Sequence, residues 1–356
     1  MQTRVEIQDI VTFTKLLSVP RLGIFSRLPY ILLLFFFSLT ASIEVQAQEA
    51  KVKVVQPKMK TVGITEIVAH PSLLQAKEGV LAGLRELGFE EGKNLRISEK
   101  NAQGSIVTAN LIARQFIDTK VDLIIPISTP SAQAVLQVMK RSKGLKIPIV
   151  FSSVSDPRAA RLLDSDSGVQ ITGAFDQPSL GDTLKLIYTV VPTLTDLGVL
   201  YNAGEANSVK AVELLRAKVP ATVRLHELAI HSSNLVSDAV RSLAGKVGAL
   251  YIPSDNTVFS ALKQVIQLAR SHKIPTFTND PDSVSLGVLA CHGYSQFAVG
   301  RTAGLLAARV LKGESFDKLP PSKPEKAEFY FNQGTAKILA ISIPKEIEGV
   351  VTQSVP

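Results

Sequence analysis

The feature that most constrains this chain is a long-range repetition of one pattern. The segment KVDLIIPISTPSAQAVLQVM (residues 120–139), followed by KIPIVFSS (146–153), is matched in outline by KVGALYIPSDNTVFSALKQVI (246–266), followed by KIPTFTND (273–280). Each copy reads as an apolar strand, a proline, a polar cluster, a helix, Lys-Ile-Pro and a second strand. VGITEIVAHPSLLQAKEGVLAGLRELG (62–88) likewise parallels LGVLYNAGEANSVKAVELLRAK (197–218). Repeated units of this kind predict two structurally similar α/β lobes.

Between the copies the same alternation continues. Strands are predicted at 61–64, 95–99, 123–127, 149–152, 198–201, 225–229, 249–252 and 276–278, with helices between them. A parallel neighbour needs a crossover, and an apolar strand needs cover on both faces. The fold class is therefore α/β, with two Rossmann-like lobes built on parallel sheets. In such sheets ligands gather beyond the carboxyl ends of the strands, at helix amino termini. Every polar cluster of the chain falls at such a point, and the two lobes supply equal numbers, which predicts a cleft with two matching rims.

The chain has 356 residues, 46% hydrophobic and 20% charged, which suits a large buried core. Its amino end reads as an export leader, residues 1–47: Arg21 and Arg27 precede the apolar run ILLLFFFS (31–38), and Val45-Gln46-Ala47 offers a cleavage-like site. The run is far shorter than the ~20 residues that span a bilayer. No cysteine follows it to carry a lipid, so a free periplasmic protein is expected. The single cysteine, Cys291, has no partner for an internal disulfide and reads as a buried small residue. The net charge of +8 comes from scattered Lys and Arg without a recognition motif, so no nucleic-acid partner is expected.

The rim residues suggest the chemistry. Some of their hydroxyls, amides and carboxylates serve as helix caps, but a cap needs one side chain and each cluster offers several. Thr129-Pro130-Ser131 and Asn207-Ser208 are candidate carboxylate holders at helix amino termini, and Ser128 and Ser153 join the predicted ligand-binding set without an assigned role. Glu205, Asp255 and Asp280 are candidate partners for an ammonium group. Glu66, His70, Asp156, Asn202, Asn256 and Thr257 complete the predicted ligand-binding set. Mixed anion and cation partners point to a small zwitterion such as an amino acid. The chain has no Trp and 6% aromatic residues, which disfavours a sugar. No G-x-G-x-x-G, P-loop, G-x-S-x-G or H-E-x-x-H motif occurs, and the five His do not cluster, so no catalytic residue, cofactor or metal is expected.

At these clusters the chain resembles the substrate-binding proteins of ABC transporters with the type I periplasmic-binding fold, including the branch that contains binders of aromatic amino acids. The residues carrying the likeness are His70-Pro71, NAQG (101–104), STPSAQ (128–133), VSDP (154–157), LYNAGEANS (200–208), IPSDNTVFSAL (252–262), DSV (282–284) and LAARVLKGE (306–314). The resemblance covers about Val62 to Ala340. It implies an N-terminal lobe of residues 60–173 plus 293–316, a C-terminal lobe of 174–292 plus 317–350, and crossovers near Gly173, Cys291 and Phe316. It also implies a monomer that closes on a small ligand and docks on an ABC permease in the inner membrane. A sensor for a membrane receptor, or an exported hydrolase, are the alternatives. Two positions depart from the family pattern: Gly293-Tyr294-Ser295-Gln296 lacks the usual acid, and Glu66 stands where an amide is common.

Overall fold

The computed structural model describes residues 58–142, 146–164, 168–177, 179–348 and 351–355. The expected leader lies outside these residues, and among them no helix is long and apolar enough to cross a membrane. The first lobe is built on a five-stranded parallel sheet: β1 (Lys60–Glu66), β2 (Leu95–Asn101), β3 (Leu123–Ile127), β4 (Ile149–Val154) and β5 (Ile171–Phe175), in the order β2-β1-β3-β4-β5. Its helices are α1 (Pro71–Glu86), α2 (Ile106–Asp118) and α3 (Thr129–Arg141).

The second lobe holds a seven-stranded sheet of β6 (Asp196–Asn202), β7 (Arg224–Ile230), β8 (Ala249–Ile252), β9 (Thr276–Thr278), β10 (Ala290–Gly293), β11 (Glu328–Asn332) and β12 (Val351–Val355). The spatial order is β12-β11-β10-β9-β8-β6-β7. The helices that follow α3 are α4 (Leu180–Val190), α5 (Ala206–Lys218), α6 (Val236–Leu243), α7 (Asn256–Ser260), α8 (Leu262–Ser271), α9 (Asp282–Ser285), α10 (Gln296–Leu311), α11 (Gln333–Leu339) and α12 (Lys345–Glu348). Central strands such as β3 and β8 are buried throughout, as expected of sheets covered on both faces.

All eight predicted strands are present. The pattern missed β5, β10, β11 and β12. β5 (ITGAF) and β10 (ACHG) are short and interrupted by glycine, and β11 (EFYFN) is only partly buried along most of its length. The sheets are parallel except at one pair, β10 and β11, which run antiparallel. The path of the chain explains this. β10 leaves the second sheet towards the cleft, α10 then lies on the first lobe, and the return segment runs parallel to β5, with Ser322 N–H donating to Gly173 O (3.0 Å) and Phe175 N–H to Ser322 O (3.0 Å). The chain re-enters the second sheet from the side by which it left, so β11 must run against β10.

Helix α10 packs on the first lobe against α1, through glycines on both helices. A Cβ placed on Gly300 would lie 1.9 Å from Ala76 O, and one on Gly304 2.2 Å from Val80 O. On the facing helix, a Cβ on Gly79 would lie 2.1 Å from Phe297 O, and one on Gly83 2.4 Å from Arg301 O. Residue numbers rise together along this contact, so the helices run parallel and begin at the same level. Their first turns, with His70 and Ser72 on one and Gln296 on the other, therefore meet at the rim. Further along, Arg301 holds Glu86 through two hydrogen bonds of 2.9 and 2.7 Å, but these are exposed and contribute less than about 1 kcal/mol.

The Gly300→Ala variant is expected to lose about 1–3 kcal/mol, because the methyl group would meet backbone and not a movable side chain. Calorimetry should show a melting temperature lower by several degrees. An unchanged value would mean that the two helices are not in backbone contact.

Candidate functional site

The two lobes meet over a small cavity lined by residues of both. The first lobe contributes His70, Ser72 and Leu73 from the start of α1, Thr129 from the start of α3, and Ser153 and Ser155 from the end of β4. The second contributes Asn207 from α5, Ser254 and Asn256 after β8, Phe259 from α7 and Asp280 after β9. Asp176 and Gln296 come from the segments that connect the lobes. A second small chamber adjoins the first and shares Ser155, Asn207 and Ser254 with it. Its walls include Leu180, Ala211, Leu214, Tyr251 and Pro253, with Asp156, Gln177 and Lys210 among the polar lining residues.

The lobes touch directly across the cavity. Ser72 Oγ donates to Asp280 Oδ2 at 2.7 Å, and His70 Nε2 lies 3.5 Å from Asn256 Oδ1. The His70 ring also stands edge-on to Phe259, with 5.5 Å between centroids. Burial pushes His70 down to about 4, only partly opposed by Asn256, so the ring is neutral at pH 7.

No lysine or arginine lines the first cavity, while two aspartates do. Burial, then the charge of Asp282, push Asp280 up to about 8 against the bond from Ser72. Burial also raises Asp176, against the bond it accepts from Gln296 Nε2 at 2.7 Å. Several buried atoms at the cavity have no hydrogen-bond partner within the protein: Asp176 Oδ1, Asn207 Oδ1, Asp280 Oδ1, Gln296 Oε1, Ser254 Oγ and His70 Nδ1. A buried polar atom left unpaired costs about 1–3 kcal/mol. Most of these atoms are acceptors, so the cavity is suited to a partner rich in donors.

At the ends of β3 and β4 in the first lobe two serines are held under strain, of which Ser153 lines the cavity. Ser128 has φ 92° and Ser153 φ 54°, in the left-handed region that non-glycine residues avoid at a cost of about 1–3 kcal/mol each. Both sit at strand ends. Pro126, within β3, has no N–H to donate and lies between the positions paired with β4, Ile124 and Ile127, and the strand end stays tied to β4 through Ser128 N–H to Ser152 O (3.0 Å). Ser128 caps α3, its hydroxyl 3.2 Å from Ser131 Oγ. Thr129 Oγ1 accepts from Ser155 N–H at 3.4 Å.

Residues 61–355 match the family of ABC transporter substrate-binding proteins. The chain belongs to this family. It is 38% identical over 285 residues to a tyrosine-binding protein of Clostridioides difficile, covering 79% of this chain and 81% of that protein. Among solved structures, a Streptococcus pneumoniae ABC domain in complex with L-Trp superposes with a TM-score of 0.78 at 26% identity, covering 84% of this chain and all of the other (100%). A ligand-free, open substrate-binding protein with adhesive properties from Clostridium difficile is more similar in sequence, at 33% identity over 84% of this chain and 100% of that one. Its TM-score is nevertheless only 0.59. The fold, two α/β lobes of the type I periplasmic-binding kind, agrees with the expectation from sequence.

Of the predicted site residues in this substrate-binding protein, His70, Thr129, Ser153, Asn207, Asn256 and Asp280 line the cavity, and Asp156 lines the adjoining chamber. Glu205 and Asp255 do not, contrary to the expectation that they face a ligand ammonium. Glu205 caps the start of α7 from the neighbouring helix: Oε2 accepts from Asn256 N–H (3.1 Å) and Nδ2 (2.6 Å), Oε1 from Thr257 N–H (3.0 Å) and Oγ1 (2.9 Å). Asp255 Oδ1 accepts from Val258 N–H (2.8 Å), while Oδ2 accepts from Asn202 N–H and Ser208 Oγ, both at 2.6 Å. Burial and the charge of Glu205 push Asp255 up to about 7 against these donors. Asn202 Nδ2 donates to Thr257 Oγ1 (2.8 Å), so Asn202, Ser208 and Thr257 belong to the same intralobe network. Ser128 and Ser131 do not line the cavity and are bonded to each other, and Glu66, also outside the lining, accepts from Asn101 Nδ2 (2.8 Å).

Sequence reading missed Ser72, Leu73, Ser155, Asp176, Ser254, Phe259 and Gln296 as lining residues. Leu73 and Phe259 lie three residues beyond His70 and Asn256, and on a helix that spacing returns to the same face. Asp176 follows a strand that the pattern overlooked. The acid absent from Gly293-Tyr294-Ser295-Gln296 has a counterpart here, because Asp176 reaches Gln296 from the other connecting segment.

The raised carboxyls set a pH dependence. Asp280, Asp255 and Asp282, at about 8, 7 and 6, hold their protons more tightly folded than unfolded. Their contribution is therefore full below pH ~4 and is lost as pH rises towards 8. His70, lowered to about 4, has the opposite sign, but its contribution is level above pH ~6.5. From pH 6.5 to 8 the melting temperature of the ligand-free protein should fall, and Asp280→Asn should flatten part of that slope. Equal slopes for the two proteins would show that Asp280 is not held protonated.

Proposed function

We propose that this chain is the extracytoplasmic receptor of an ABC importer, that it binds an aromatic α-amino acid of the tyrosine and tryptophan kind between its lobes, and that it presents this ligand to a permease. The observation that carries this reading is a cavity with no cationic side chain, in which two buried aspartates keep unpaired oxygens. A ligand ammonium would meet those oxygens, and the proton that burial holds on Asp280 in the ligand-free protein would leave to solvent. The amino terminus of α3, with Thr129 and Ser153 beside it, suits a carboxylate, since helix starts combine free N–H groups with the positive end of the dipole. The adjoining chamber, walled by Leu180, Leu214, Tyr251 and Pro253, offers apolar room for a ring.

Similarity supports the same ligand class, through the tyrosine-binding relative and the L-Trp complex. The greater likeness to the L-Trp complex than to the open, ligand-free structure, together with the Ser72–Asp280 and His70–Asn256 contacts, supports a closed arrangement of the lobes. In a binding protein of this kind the ligand stabilises the closed form only through contacts to both walls.

The test is titration calorimetry of residues 48–356 with L-tyrosine, L-tryptophan and L-phenylalanine, where micromolar or tighter binding of at least one is expected. The chain has no Trp, so indole emission from protein purified without added ligand would identify bound tryptophan. Absence of heat and of any thermal shift with all three amino acids would overturn the reading.

A further inference from the structure

We propose that the side-chain amide of Asn279 reads the polar end of the ligand's ring, so that the protein selects an aromatic amino acid whose ring carries an O–H or N–H and discriminates against one whose ring carries neither. The proposal rests on the aromatic amino-acid reading above and names the residue that sets its side-chain specificity.

Asn279 lines the adjoining chamber and not the first cavity. It is 9% exposed, and its Oδ1 is buried without a hydrogen-bond partner in the protein. Two other chamber residues keep a buried, unpartnered oxygen, Asn207 and Ser254, but both line the first cavity as well and so stand at the junction of the two spaces. A ligand whose charged groups occupy the first cavity passes this junction with its ring. Among the described residues that line the chamber alone, Asn279 is the one with a buried oxygen left for what the ring carries.

The other polar groups of the chamber are already engaged. Asp156 Oδ1 accepts from Arg158 N–H and Ala159 N–H, both at 2.9 Å, and Oδ2 accepts from Gln177 Nε2 at 3.1 Å. Lys210 pairs with Glu213 at 3.1 Å. Leu180, Ala211, Leu214 and Pro253 have no hydrogen-bonding side chain. The backbone that carries the Asn279 amide is held in place. Asn279 follows directly on β9, a strand buried throughout, and its carbonyl packs so closely on β10 that a Cβ on Gly293 would lie 1.9 Å from Asn279 O. A ligand must therefore bring its donor to the amide.

A phenol O–H or an indole N–H can donate to Oδ1, and the amide nitrogen can donate back to a phenol oxygen. A phenyl ring does neither and leaves the buried acceptor unpaired, at a loss of roughly 10- to 100-fold in affinity. A site built to hydrogen-bond a ligand O–H or N–H rejects the analogue lacking it far more strongly than an apolar pocket rejects a small change of size.

The experiment is titration calorimetry of the wild type and Asn279→Leu with L-tyrosine, L-tryptophan and L-phenylalanine. Leucine keeps the approximate size of asparagine without its polar atoms. The wild type should bind the tighter of tyrosine and tryptophan at least about 10-fold more strongly than phenylalanine. In Asn279→Leu that ratio should fall to within about 3-fold, through weaker binding of the donor-bearing ligand, while phenylalanine binds as well as before or better. Melting curves check that the variant is folded. Should it not fold, Asn279→Ala takes its place with the same expectation, and the wild-type ratio is a test in itself. A wild type that binds phenylalanine as tightly as the other two, or a folded variant that keeps the wild-type ratio, overturns the role of Asn279 and leaves the aromatic amino-acid reading standing. A wild type that binds none of the three overturns that reading, and this proposal with it.

Discussion

The backbone contact between α1 and α10 is the constraint on which the site depends. Glycines at 79, 83, 300 and 304 let two parallel helices approach until backbone meets backbone, closer than any side chain would permit. One helix follows the first strand of the chain and the other follows the second connection between the lobes. Their contact therefore fixes that connection to the first lobe. It also sets both first turns at one level, so that His70, Ser72 and Gln296 reach the same cavity. Interiors are close-packed and do not deform continuously, so a displacement of this pair would be passed to the rim.

Polar groups around the rim divide into two kinds according to how fully they are paired. Glu205 and Asp255 are saturated by donors of their own lobe, and together they lock β6, α5 and α7 into one wall. Asp176 and Asp280 are only half paired, although they are as deeply buried. The saturated pair builds a rigid surface, and the half-paired one keeps free valences for a partner. Buried polar networks tend to be completed, so unpaired acceptors on two aspartates that share one cavity mark that cavity for function.

Much of the architecture was legible because it rests on local rules. Apolar runs such as LIIPI (123–127) and ALYI (249–252) are strands covered on both faces, and the repeated strand–cluster–helix order led to two lobes with facing rims. Four short strands escaped notice; in β5 and β10 a glycine, and in β11 partial exposure, blurs the pattern. Half of the site was legible for the same reason, since His70, Thr129 and Asn256 occupy helix starts. The choice among the acids was not. Glu205, Asp255 and Asp280 follow strands in similar contexts, and only the surrounding donors separate the wall-builders from the one facing the cavity.

By itself, the sequence determined the α/β alternation, the two similar lobes and the polar character of the rims, because turns, caps and periodicity depend on neighbours a few positions away. The tertiary structure decided which side chains point into the gap. Ser72 meets Asp280 across 208 positions, His70 meets Asn256 across 186, and Asp176 meets Gln296 across 120. Nothing local encodes those pairings. They exist because the lobes exchange segments, and because two glycine-lined helices bring the exchanged pieces together.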